Sequence, residues 1–176
     1  MLAQKIQDYK NQNPNATDEE LNAYTEKLLQ TEVSSKPIYE ERGVVDYVIG
    51  IGAYATGRLN AEEKALFSSN KAKAVLCISH GKTAFDKSQS KYQNNVLHNG
   101  NGDAFRHAYW TALMSKDKNI GADFAKKWSD AHEKGSSGQP KIEYDMDIYN
   151  NSIGIQLGKQ NATKTSSQLE DRKSVV

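Results

Sequence analysis

The sequence predicts an all-α protein: a compact multi-helix bundle with an N-terminal helical arm and a flexible C-terminal tail. Three observations lead there. Apolar residues recur at helical spacing. Two S/T/N-x-x-E signatures of helix starts, Thr17-Asp18-Glu19-Glu20 and Asn60-Ala61-Glu62-Glu63, stand before apolar runs. Segments with the alternation of β-strands are few.

Taken in order, residues 1 to about 32 are polar and helix-prone, and the Asn13-Pro14-Asn15 breaker divides them into two short helices. Leu21, Tyr24, Leu28 and Leu29 give the second helix an apolar stripe that needs a docking surface. Ser34-Ser35-Lys36-Pro37 marks a linker, so the arm is assigned to residues 1–35 and the main domain to 36–158. Within the domain, helices are expected at about Val44–Thr56, from Ala61 to about Phe67, and from about Asn70 to Phe85, with His80 closing the last of these in a Ser-His-Gly end. A polar loop spans 86–102. Further helices run from about Asp103 to Lys116, Ile120 to His132 and Ile142 to Leu157, separated by Gly- and Ser-containing turns. Residues 159–176 hold few large apolar groups and read as the tail.

Composition narrows the function classes. Lys and Arg number 23 against 22 Asp and Glu, for a formal charge of +1 over 176 residues, so no global field points to nucleic acid or an anionic membrane. The N-terminus lacks the apolar core of a secretory signal, and no stretch approaches the roughly 20 apolar residues of a membrane span. A soluble chain is expected, cytoplasmic unless exported as a module of a larger effector. The single cysteine, Cys77, lies in the run Ala74-Val75-Leu76-Cys77-Ile78 and reads as a buried hydrophobe. Gly50-Ile51-Gly52 has Ala55 where a dinucleotide fingerprint needs glycine, and Gly81-Lys82-Thr83 is preceded by Leu76 where a phosphate loop needs its first glycine. Neither supports nucleotide binding.

The chemistry concentrates in residues 98–154. Asp103, His107, Trp110 and Met114 share one helical face, so an acid and an imidazole point inward together. The Gly100-Asn101-Gly102 turn places Asp103 at or near the N-cap. In the next helix Phe124, Trp128 and His132 recur every four residues, which predicts that His132 is carried inward, flanked by Asp130 and Glu133. In the third, Asp147, Asn151, Gly154 and Gly158 form a small, polar stripe beside an apolar one of Met146, Tyr149 and Ile153. Three helices converging with acids and imidazoles suggest a metal centre, because a divalent ion satisfies groups whose unpaired burial costs several kcal/mol. The candidate ligands are His98, Asp103, His107, His132 and Glu133, with Asp130, Asp147, Asn150, Asn151 and Arg106 in support. Zinc is the first expectation from the His/carboxylate mixture, with magnesium, manganese or calcium as alternatives. Arg106, turned by about 100° from His107 on the helix, is either a surface ion-pair partner or a phosphate clamp at the rim. The alternative for the whole cluster is structural: helix caps, a satisfied core histidine and tied helix ends.

The runs Asp103-Ala104-Phe105-Arg106-His107-Ala108-Tyr109-Trp110, Asp130-Ala131-His132-Glu133 and Met146-Asp147 with Asn150-Asn151 and Gly154 resemble a bacterial domain family of uncharacterised activity found in secreted and polymorphic-toxin-type proteins. The resemblance covers roughly residues 40–158 and implies an effector setting, with an immunity protein as partner. A weaker likeness, in helix-borne His, Asp and Glu alone, is to the zinc-dependent phospholipase C and single-strand nuclease group. With four histidines in the chain, a trinuclear centre is not expected and one metal is the ceiling. The function expected is hydrolysis of a phosphoester, a phospholipid foremost, with Asp103, His107, His132 and Glu133 as ligands or acid/base groups. A nuclease toxin and a non-enzymatic helical binding module are the alternatives.

Overall fold

The computed structural model describes residues 2–35, 59–135 and 138–170. Among these, eight α-helices and one 3-10 turn are present and no strand: α1 Leu2–Gln12, α2 Asp18–Ser35, α3 Ala61–Ser69, α4 Lys71–Lys91, the turn Asn94–Val96, α5 Asn101–Lys116, α6 Ala122–Lys134, α7 Lys141–Gln160 and α8 Ser166–Glu170. The all-α expectation is therefore met. The helix expected at Val44–Thr56 lies outside the described residues. No described helix is long and apolar enough to cross a membrane.

The chain divides into two units, Met1–Ser79 and His80–Val176, and the boundary falls within α4. In the first unit both sequence-read helix starts carry reciprocal caps. Thr17 Oγ1 accepts the Glu20 N–H while the Thr17 N–H donates to Glu20 Oε2, and Asn60 and Glu63 exchange the same pair of bonds. The apolar stripe of α2 docks on α1: Leu2, Ile6 and Leu21 are buried and the Tyr9 and Tyr24 rings stack at 4.1 Å. The polar side of α2 meets the start of α4, where Asn22 Oδ1 accepts the Ala72 N–H and Asp18 and Glu26 pair with Lys73 and Lys71. Cys77 is buried, as its apolar run predicts.

In the second unit α5 is the central element. Ala108, Tyr109, Trp110, Thr111, Ala112, Leu113 and Met114 are all buried, and α6, α7 and α8 pack on it. Its closest neighbour is α7, and small residues set that distance. A Cβ on Gly154 would fall 2.0 Å from Thr111 Oγ1 and 2.1 Å from Ala108 O, and one on Gly158 would fall 2.6 Å from Ala112 O. The glycine stripe read from the sequence is thus the contact surface of α7. The apolar stripe beside it is not: Tyr149 is exposed and Met146 and Ile153 are only half-buried.

Two boundaries differ from expectation. α4 runs past its expected end at about Phe85 to Lys91, so His80 lies inside it and the predicted loop is shorter. His80 instead pairs with Asp117 at 3.0 Å, and Gly81 is the flat spot on which the Trp110 indole rests. Helical structure also extends past Gly158. A cap between Thr165 and Gln168 starts α8, Leu169 is buried, and Lys116 Nζ and Tyr109 Oη donate to the carbonyls of Lys164 and Ser166.

Candidate metal centre

The centre forms where α5, α6 and α7 meet. Gly100 is the N-cap of α5, so Asp103 is the helix's third residue, near the N-cap rather than at it. From there its carboxylate reaches back, and Oδ2 accepts the Asn99 N–H at 2.7 Å. Asn99 holds a left-handed conformation, φ 55°, and its side-chain amide donates to Glu143 Oε1 on α7 at 2.5 Å. One turn on, His107 lies under Asp103, with Nε2 3.3 Å from Asp103 Oδ1 and 3.4 Å from Asp147 Oδ1. Its other nitrogen, Nδ1, lies 3.2 Å from Glu133 Oε1, an ion contact off the line of a direct hydrogen bond. Asn151 Nδ2 donates to the same Glu133 oxygen at 2.9 Å, and Gln139 Nε2 donates to Asp147 Oδ2 at 2.7 Å. Asp103, His107, Glu133, Asp147 and Asn151 each expose 5% or less of their surface.

Charge decides how this cluster behaves. Burial alone disfavours the His107 cation, but contacts with Asp103 and Glu133 and the charges of Glu133 and Asp147 outweigh it, raising the imidazole from 6.5 to about 9. For Asp103 burial pushes upward, and the His107 contact, the Asn99 N–H and the charges of Arg106 and His107 bring it down to about 2. Glu133 is lowered, since His107, His132 and Asn151 together overcome its burial. Asp147 moves the other way: burial, with the Glu133 and Asp103 charges, raises it despite His107 and Gln139. Three carboxylates thus face two cations, His107 and Arg106, and Asp147 is the acid left under-compensated.

A divalent ion fits that deficit. Asp103 Oδ1, His107 Nε2 and Asp147 Oδ1 lie within 4.8 Å of one another, and both oxygens are buried without a hydrogen-bond partner. The two separations from Nε2, 3.3 and 3.4 Å, match the ~3.3 Å edge of a tetrahedron with bonds of ~2.0–2.1 Å. Glu133 and Asn151 stand behind the histidine, where a carboxylate fixes the ring and increases its basicity as a ligand.

This geometry revises part of the sequence reading. Asp103 and His107 share the inward face as expected, and Asp147 joins them as a candidate ligand rather than a supporting group. Glu133 backs His107 instead of joining the ligand atoms. His132 is corrected: it is exposed, edge-on to Trp110 with ring centroids 5.2 Å apart, and the grouped candidate ligand atoms are those of Asp103, His107 and Asp147. The buried residues of α6 are Ala125, Trp128, Ser129, Ala131 and Glu133, so the inward face keeps Trp128 of the expected stripe and takes in Glu133 rather than His132. The small residues Ala125, Ser129 and Ala131 were the available signal, since side chains of that size mark a face that approaches its neighbours closely. His98 sits at the rim, 83% exposed, with Nδ1 3.7 Å from Asp103 Oδ2. Asp130 turns away to pair with Lys126 at 2.5 Å. Asn150 is buried with its Nδ2 unpartnered. Arg106 binds Asp103 Oδ1 at 2.6 Å from the solvent side. Gln139 and Asn99 were not singled out from the sequence. Gln139 lies in a turn whose path no periodicity predicts, whereas Asn99, beside Gly100, carried the weak signal of a residue tolerant of positive φ.

Residues 64–174 match a family described as Domain of unknown function (DUF6973). No curated protein and no solved structure matches the chain.

Proposed function

The chain belongs to the DUF6973 family of domains of unknown function, and we propose that within this domain Asp103, His107 and Asp147 hold one divalent cation that serves hydrolysis of a phosphoester. The observation that supports this reading is the pair of buried carboxylate oxygens flanking His107 Nε2, neither of which accepts an aligned hydrogen bond, Asp103 Oδ1 being met only by the Arg106 and His107 charges. Such atoms are costly to leave unmade, and an ion repays both at once. When bound, the ion supplies Lewis-acid polarisation of a phosphoryl oxygen. The chain's own groups do the rest. Glu133 and Asn151 hold the His107 ring with Nε2 facing the acids, and Gln139 fixes the second oxygen of Asp147. Arg106 and His98 form the polar rim through which an anionic substrate meets the centre. The His/carboxylate mixture favours zinc, with manganese, magnesium and calcium as alternatives. A phospholipid is the first substrate of this reading and RNA or DNA the second, because the near-neutral charge offers little for a nucleic-acid backbone. An exported effector with an immunity protein as partner is the setting that the reading carries with it.

A second reading has its own support. All three helices contribute a buried charge to His107, so a non-enzymatic module could use the cluster to fasten α5, α6 and α7. The two separate by experiment. Protein stripped with a chelator is titrated calorimetrically with each of the four ions, then assayed on phosphatidylcholine vesicles and on single-stranded RNA. One ion per chain, lost in Asp147→Asn with folding retained, together with ion-dependent hydrolysis, is the expected result. Absence of binding for every ion overturns the metal reading and leaves the structural one.

A further inference from the structure

Arg106 rests on two of the three atoms that would hold the ion. Its Nη2 lies 2.6 Å from Asp103 Oδ1 and 3.2 Å from His107 Nε2. Next to His107 in sequence, it projects about 100° away around α5 and must fold back over the helix to get there. Its side chain remains 31% exposed, and its other polar contact shown is a long one, 3.5 Å to Leu97 O. The contact with Asp103 Oδ1 is an ion pair without the alignment of a hydrogen bond. Charge rather than geometry keeps the guanidinium in place, so another cation can substitute for it. Asp103 itself is anchored independently, through Oδ2 and the Asn99 N–H, and its carboxylate stays put when Arg106 leaves.

We infer that Arg106 is a built-in placeholder: its guanidinium occupies the ion's position in the ion-free protein, and ion entry releases it to the rim as the anchor for the substrate's phosphate. The inference rests on the reading of Asp103, His107 and Asp147 as a cation site. Two cations cannot share Asp103 Oδ1 at contact distance without strong repulsion, so entry of one expels the other. The expelled side chain has solvent on one side and the exposed His98 ring at the same rim. A guanidinium there presents paired N–H donors to a phosphate, which a lysine ammonium cannot do.

The test uses the full chain, stripped of ions, as wild type, Arg106→Gln, Arg106→Met and Arg106→Lys. Circular dichroism checks the fold, and the two neutral variants back each other up. Titration with manganese is expected to show both neutral variants binding more tightly than wild type, by roughly tenfold given the partial exposure of the side chain. Arg106→Lys should stay near wild type. Inorganic phosphate should then bind ion-loaded wild type and bind Arg106→Gln roughly tenfold more weakly. Equal or weaker manganese affinity in the neutral variants overturns the placeholder role while leaving the ion site standing. Unchanged phosphate affinity overturns the anchor role. If no form binds manganese, the cation site falls and the inference falls with it.

Discussion

Gly154→Ala is expected to destabilise the protein although alanine is the better helix former. A Cβ at this position would stand 2.0 Å from Thr111 Oγ1 and 2.1 Å from Ala108 O, against 3.4 Å or more for an ordinary contact. One of the two obstacles is backbone, so rotating a side chain cannot clear both, and α7 must move off α5. Overpacking of this kind costs up to about 3 kcal/mol. The gain in helix propensity returns about 1 kcal/mol, which leaves a net loss of about 2 kcal/mol, or about 4–8 °C in Tm for a chain of this size. The same displacement pulls Asp147 from His107, now 3.4 Å apart, so cation affinity should fall in parallel. Thermal unfolding of Gly154→Ala beside Ser152→Ala, an exposed position on the same helix, measures the effect. A variant as stable as wild type would refute the close-approach argument.

Four further outcomes follow from the centre. Because His107 is raised from 6.5 to about 9, its contribution to the ion-free protein is complete below about pH 6.5 and is lost as pH rises through about 9. Denaturation midpoints across that window should decline by an amount on the order of 3 kcal/mol, and His107→Gln should lack the decline. Asp103, lowered to about 2, acts in the opposite sense: its contribution is present above its ordinary 3.8 and disappears as pH falls through about 2. Glu133→Gln removes the charge behind the imidazole and should weaken cation binding by roughly 10–100-fold without removing a ligand, read by calorimetry. His132→Ala should leave cation affinity unchanged and shift stability by less than about 1 kcal/mol, because the ring is exposed against Trp110; a large loss of affinity would mean that His132 reaches the centre after all.

Much of the centre was legible because helical spacing is a local property. Asp103 and His107 are one turn apart on a stripe continued by Trp110 and Met114, and all four are buried. Asp147, Asn151, Gly154 and Gly158 likewise form one face, and their small size announces a close neighbour. The reading went astray on α6, where a stripe of Phe124, Trp128 and His132 competes with one of Ala125, Ser129 and Glu133. Hydrophobicity favours the first, and its Trp128 is buried; the helix is nonetheless turned so that the second is buried along its whole length and His132 is left exposed.

The chain's own pattern therefore determined that the protein is helical, where its caps stand, and that an acid and an imidazole share the inward face of α5. Tertiary structure alone decided which acids surround that imidazole, that His132 faces outward, and that Arg106 lies across the centre. The physical reason is that periodicity defines the faces of one helix, whereas the choice among those faces depends on the positions of the helices packed against it.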